Sequence, residues 1–209
     1  MTSSPLAKRV KSSDLATRVR RALGPAGVFL RGFVEHPRMV GSVIPSSGRT
    51  IEAMLAPVDW SACKLFVEYG PGVGTFCRPI LDRLPRDGRL VTIDTNPLFV
   101  DYLSRTIADS RFSAVLGSAE DVEEIVQASG HAHADYILSG LPFSTLPEGV
   151  GPRIAAATHR VIRPGGAFLT YQFSGAARDL TLRHFDRVDT DFVWANLPPC
   201  VLAWGWKGE

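Results

Sequence analysis

From Leu65 onward the chain alternates between two hydrophobic patterns. Leu65-Phe66-Val67-Glu68 is a short apolar run of the kind that fills a buried strand. A glycine-rich turn follows, and Phe76 to Leu84 then carries the period of a helix. The alternation repeats. Strands are predicted at Leu90–Asp94, Phe112–Leu116, Tyr136–Ser139 and, after the Pro164-Gly165-Gly166 turn, Ala167–Phe173. Helices are predicted at Pro97–Ala108, Ala119–Ala128 and Val150–Val161. Strands and helices in strict alternation predict an α/β fold with a parallel, doubly wound sheet. The tail breaks the rhythm: a short helix at Ala176–Leu182 precedes two β-rich runs, Phe185–Trp194 and Val201–Trp206, around Pro198-Pro199. A hairpin closing the parallel sheet with an antiparallel edge is expected there.

Ahead of this core the pattern differs. Ser12-Ser13-Asp14 suits a helix start and Gly24-Pro25 a stop. Leu15, Ala16, Val19, Ala22 and Leu23 fall on one helical face, with Arg18, Arg20 and Arg21 off it. Residues 1–25 are therefore expected to form a basic amphipathic helix, and 26–209 the main domain. Such a helix either docks on its own domain with a solvated charged face or lies on an anionic lipid surface. Both readings stay open. The linking region from Ala26 is apolar but interrupted by Gly32, Pro37, Gly41 and Pro45, and Pro45-Ser46-Ser47 suits the cap of a helix from Gly48 to Leu55.

Charge sharpens this picture. The net charge is only +2, but Lys8, Arg9, Lys11, Arg18, Arg20 and Arg21 crowd one short stretch against a single acid, Asp14. An anionic partner surface is implied, lipid or nucleic acid. The overall composition, 45% hydrophobic and 21% charged, is that of a soluble globular protein. No run has the length of a membrane span, and no export signal is expected. Cys63, Cys77 and Cys200 are far apart without histidines at ligand spacing, so reduced thiols, a cytoplasmic location and no metal site are expected.

The chemistry centres on Glu68-Tyr69-Gly70-Pro71-Gly72-Val73-Gly74, which follows a strand and opens a helix. Glycines there let the backbone approach a bound cofactor. Asp94 ends the second strand about 20 residues on, where a carboxylate can accept both hydroxyls of a ribose; capping the Pro97 helix is its alternative role. A nicotinamide dehydrogenase shares such a layout, but its turn receives a pyrophosphate. Glu68 before the turn repels phosphate and suits a cofactor carrying an amino group.

Gly117-Ser118-Ala119-Glu120 and Ser139-Gly140-Leu141-Pro142-Phe143 follow the third and fourth strands, so all four segments sit at strand carboxyl ends. As a set they resemble the Rossmann-like class I S-adenosylmethionine-dependent methyltransferases, from about Leu65 to the C-terminus. The resemblance implies a mostly parallel seven-stranded sheet with an antiparallel edge. It also implies S-adenosylmethionine as cofactor and S-adenosylhomocysteine as product. The implied cofactor residues are Ser46, Ser47, Glu68, Gly70, Gly72, Gly74, Asp94, Thr95, Ser118, Ala119, Glu120, Ser139, Gly140 and Leu141. The family more often has Asp at the position of Ser118.

Two further stretches, Gly41 to Ser47 and Gly140-Leu141-Pro142-Phe143-Ser144-Thr145-Leu146-Pro147, together with Tyr171-Gln172-Phe173-Ser174, resemble the bacterial phospholipid N-methyltransferases. Those enzymes methylate phosphatidylethanolamine stepwise to the choline lipid. The resemblance implies a phosphatidylethanolamine acceptor, a peripheral membrane location reached through the basic helix, and no nucleic-acid partner. An ornithine-containing lipid is a second acceptor. An RNA adenine N6-methyltransferase is the alternative from another class; it would carry Asn or Asp where this chain has Gly140. Tyr69, Ser139 and Tyr171 are the candidates to position the amine.

Overall fold

The computed structural model describes residues 48–172, 175–193 and 200–209. The expected basic helix within 1–25, and Ser46 and Ser47, lie outside the described residues, as does Phe173. Among the described residues the order is α1 (Gly48–Leu55), β1 (Leu65–Tyr69), α2 (Cys77–Arg83), β2 (Arg89–Asp94), α3 (Pro97–Thr106), β3 (Phe112–Leu116), α4 (Val122–Ala128), β4 (Ala134–Ser139), α5 (Val150–Val161), β5 (Ile162–Gln172), α6 (Ala176–His184), β6 (Arg187–Val193) and β7 (Cys200–Trp206). Short 3-10 turns occupy Trp60–Ala62 and Ala119–Asp121.

The seven strands form one sheet in the order β3-β2-β1-β4-β5-β7-β6. Strands β1 to β5 run parallel, and β7 pairs antiparallel with both β5 and β6. The expected antiparallel edge is present, with β7 inserted between β5 and β6.

Strand alternation divides the core into two layers. Leu65, Val67 and Tyr69 of β1 pack with Val122, Val126, Ile154 and Val161 on one face. Phe66 of the same strand packs on the other face with Ile80, Leu81 and Leu103. Because β1 is covered on both sides, it reads as a continuous apolar run. Helix α3 starts where Asn96 accepts the Leu98 N–H at 3.0 Å, with Pro97 in its first turn. Asn96 is thus the cap, and Asp94 is left for another role.

One boundary departs from the expectation. Strand β5 begins at Ile162 rather than Ala167, since Ile162 already pairs with Ala134 before the register shifts to Tyr136 and Ala167. The Pro164-Gly165-Gly166 segment loops out between those pairs, with Gly165 at φ 70°. A Cβ on Gly166 would lie 2.4 Å from the Asp135 carbonyl oxygen, so no larger residue fits.

Candidate functional site

The strand order reverses between β1 and β4, and the turns leaving these two strands meet at the carboxyl edge of the sheet. Gly70 N–H donates to Ile93 O at 2.9 Å, and Gly140 N–H donates to Tyr69 O at 2.9 Å. Each turn is tied to the neighbouring strand.

Gly70, Gly72 and Gly74 have φ of 59°, 56° and 80°, a region that L side chains resist. Space adds to the demand. A Cβ on Gly74 would lie 2.6 Å from Leu103 Cδ2, and one on Gly70 would lie 3.1 Å from Leu141 Cδ2. The turn is an all-backbone cradle closed beneath by Leu103 and flanked by Leu141.

Glu68 lies beside it, 1% exposed, on the face that carries α2. Cys77 Sγ donates to Glu68 Oε2 at 3.4 Å. No cation pairs with this carboxyl among the described residues. Burial pushes it up to about 8; the Cys77 contact opposes the shift and the Asp94 charge adds to it. Asp94, at the end of β2, is pushed up to about 6 by burial, against the backbone N–H groups of Asn96, Gly72 and Thr95. The Asn96 N–H reaches Asp94 Oδ1 at 2.8 Å. Two carboxyls thus converge on the cradle, each short of positive charge.

Three buried side-chain atoms lack a hydrogen-bond partner among the described residues: Thr92 Oγ1, Asn96 Nδ2 and Gln172 Oε1. Thr92 is the register partner of Glu68. Asn96 follows Asp94, and the Gln172 amide nitrogen donates to Leu141 O. All three border the same edge. Buried polar groups without partners are costly and mark places where a ligand completes the bonding. The cradle, the unpaired carboxyl and these orphans fit a cofactor with an amino group and a ribose.

The other expected residues divide. Ser118 Oγ accepts the Glu120 N–H at 3.1 Å and so caps the turn after β3. Ala119 is buried beneath that turn. The Glu120 carboxylate pairs with Arg153 of α5 at 2.6 Å. Thr95 is exposed just past Asp94. Ser139 is fully buried, with its oxygen accepting the Leu141 N–H at 3.2 Å; it shapes the loop. Tyr171 is half-buried and packs on Phe76, the rings tilted by 40° with centroids 4.9 Å apart.

Tyr69 is placed away from the site, a correction to the expected amine-positioning role. Its side chain points to the α5 face, fully buried, and its hydroxyl sits 3.0 Å from Thr158 Oγ1. Adjacent residues on a strand face opposite ways, so Glu68 and Tyr69 cannot both border the cradle. Cys77, Thr92 and Phe76 escape sequence reasoning. Thr92 carries a faint signal as a polar residue inside an apolar strand; the other two are brought in only by packing. Among the described residues, no group of three His, Cys, Asp or Glu could hold a metal ion, and no helix is long and apolar enough to cross a membrane.

No family model matches the chain. The ornithine lipid N-methyltransferase of Singulisphaera acidiphila is 29% identical over 174 residues, 82% of this chain and 91% of that protein. Among solved structures, the chain is similar to the N-methyltransferase NodS from Bradyrhizobium japonicum in complex with S-adenosyl-L-homocysteine. That match has a TM-score of 0.58 and 15% identity, covering 76% of this chain and 84% of that one. The 1,6-didemethyltoxoflavin-N1-methyltransferase of Burkholderia thailandensis, with its substrate and S-adenosylhomocysteine bound, matches at TM-score 0.62 and 17% identity. It covers 100% of this chain and 94% of that one. The fold is that of the class I methyltransferases, and the similarity to an ornithine lipid N-methyltransferase agrees with the resemblance to lipid N-methyltransferases read from the sequence.

Proposed function

We propose that this chain, with its class I methyltransferase fold and its similarity to a lipid N-methyltransferase, is an S-adenosylmethionine-dependent N-methyltransferase acting on the amine of a lipid headgroup. The observation that carries the reading is Glu68: a carboxyl buried just before the turn of three left-handed glycines, with no cation beside it among the described residues. A diphosphate at that turn would gain nothing from a buried carboxyl and would oppose its ionisation, whereas an amino group would supply the missing charge and let it ionise.

Bound S-adenosylmethionine supplies a sulfonium methyl group for direct displacement. Around it, Gly70, Gly72 and Gly74 offer backbone at close approach, Glu68 receives the amino group, and Asp94 receives the ribose hydroxyls. The Ser118-Ala119 turn borders the adenine, with Thr95 and Glu120 nearby, and Ser46 and Ser47 are assigned to the cofactor by resemblance. The Ser139–Leu141 segment forms the wall towards the acceptor. An alkylammonium, with a pKa of about 10 like lysine, must lose a proton before it attacks. The neutral amine would then take the methyl group by that displacement, the C–S electron pair remaining on sulfur and the ammonium proton having passed to water. Exclusion of water beside a cationic sulfonium favours the neutral amine.

Phosphatidylethanolamine and its mono- and dimethyl products are the acceptors that the sequence resemblance suggests, and an ornithine lipid is the one that the relative suggests. The RNA alternative is disfavoured, because Gly140 brings no side chain to clamp a ring amine. The basic segment from Lys8 to Arg21 is assigned to an anionic lipid surface. The test is incubation with labelled S-adenosylmethionine and vesicles of either lipid, with and without anionic phospholipid, beside structured RNA. Label extracted into organic solvent, and more of it on anionic vesicles, is expected. Label in the RNA alone would overturn the reading.

A further inference from the structure

We infer that Gly140 and Tyr171 form one acceptor-selecting unit, in which the Tyr171 hydroxyl, admitted by the missing side chain at position 140, holds an alkyl amine. The inference rests on the methyl-transfer reading above and deepens it.

Gly140 is not among the glycines with positive φ, so its backbone conformation does not demand glycine. Space does. A Cβ there would lie 2.8 Å from Tyr171 Oη and 3.0 Å from Gly70 O. The second neighbour is backbone of the cradle, held by the Gly70 N–H bond to Ile93, and cannot give way. The first belongs to a ring packed at a tilt on Phe76, which is itself fully buried. The hydroxyl therefore fills the volume that a side chain at position 140 would take. It does so at the meeting point of the β1 and β4 turns, facing the layer that holds Glu68.

This exchange has a chemical consequence. A ring amine is planar, with its lone pair delocalised, and its recognition calls for a side-chain carbonyl projecting from the β4 turn. The chain has put a hydroxyl on an aromatic ring in that space. A tetrahedral alkylammonium suits such a group: the oxygen accepts one N–H, and the ring attracts the positive charge. As methyl groups replace the N–H bonds, the hydroxyl loses its hold while the ring keeps its own. Gln172, next along β5, points to the opposite face. Its amide is fixed by the bond to Leu141 O.

Three variants test the unit: Tyr171→Phe, Gly140→Ala and the double variant, each assayed on the lipid amine that the wild type methylates. S-adenosylhomocysteine affinity is measured in parallel by calorimetry. Tyr171→Phe is expected to lower kcat/KM for the lipid about tenfold or more, with S-adenosylhomocysteine affinity within about twofold. Gly140→Ala should produce a similar loss by displacing the ring. The double variant should lose less than the product of the two, because the hydroxyl and the added methyl compete for one space. The inference is overturned if Tyr171→Phe keeps wild-type kcat/KM, if the losses multiply, or if the cofactor affinity of Tyr171→Phe falls in step with its activity. If the wild type methylates no lipid at all, the functional reading fails instead.

Discussion

Two buried carboxyls stand on neighbouring strands at opposite ends of the sheet, and their surroundings could hardly differ more. Asp135, at the start of β4, accepts the N–H groups of Lys64 and Leu65 at 2.8 Å each and Arg163 Nε at 2.6 Å. It ties the entry of β1 and the looped-out segment of β5 to one point, and every charge there is met. Glu68, near the exit of β1, has a thiol at 3.4 Å and, among the described residues, no cation. The amino edge of the sheet closes its own polar groups, while the carboxyl edge leaves Glu68, Thr92, Asn96 and Gln172 incomplete. Since burying an unmet polar group is costly, the contrast separates the end that holds the fold from the end that receives a ligand.

The largest effect should come from the closed end. Asp135→Ala strips two N–H groups and a guanidinium of their partner, and is expected to destabilise the chain by about 3 kcal/mol. That corresponds to a fall in Tm of roughly 6–12 °C by calorimetry, while S-adenosylhomocysteine affinity of the folded fraction stays unchanged. A Tm within a degree or two of wild type would erase the distinction between the two ends.

At the open end the sign reverses. The Glu68 carboxyl is held up at about 8 in the folded chain against an ordinary value of 4.5, so the folded state binds the extra proton. Its contribution is intact below 4.5 and is lost as pH rises towards 8. Without cofactor, Tm should therefore fall between pH 5 and 8. Glu68→Gln should flatten that fall and raise Tm at pH 8 by roughly 5 °C. Parallel Tm curves for the two proteins would mean that Glu68 is not under strain. The smallest effect belongs to Tyr69, one residue away on the opposite face. Tyr69→Phe removes one buried hydrogen bond, for about 1 kcal/mol of stability. It should leave kcat/KM within about twofold, and a tenfold drop would return Tyr69 to the site.

Much of this arrangement is legible without coordinates, and the reason is local. Strands β1 to β3, along with helices α1, α3 and α5, match their expected spans closely, because parallel strands covered on both faces read as apolar runs and the helices carry their own period, with a cap at the start of α3. The turn glycines, Glu68 and Asp94 stand out for the same reason: their signal is short-range spacing. What stays hidden depends on pairing across the fold. Nothing in Cys200–Trp206 states that it inserts between β5 and β6. The start of β5 at Ile162 depends on its register with Ala134. The Gly140–Tyr171 exchange joins residues 31 positions apart. Tyr69 is a different case, since simple strand alternation sets it on the opposite face from Glu68.

The central claim is that Glu68 is the counter-charge for a cationic cofactor. It is tested most directly by titrating S-adenosylhomocysteine into wild type and Glu68→Gln at pH 7 by calorimetry, in two buffers of different ionisation enthalpy. The account predicts proton release on binding to the wild type, none for the variant, and an affinity loss of about a hundredfold. Equal affinities with no difference in protons released would contradict it.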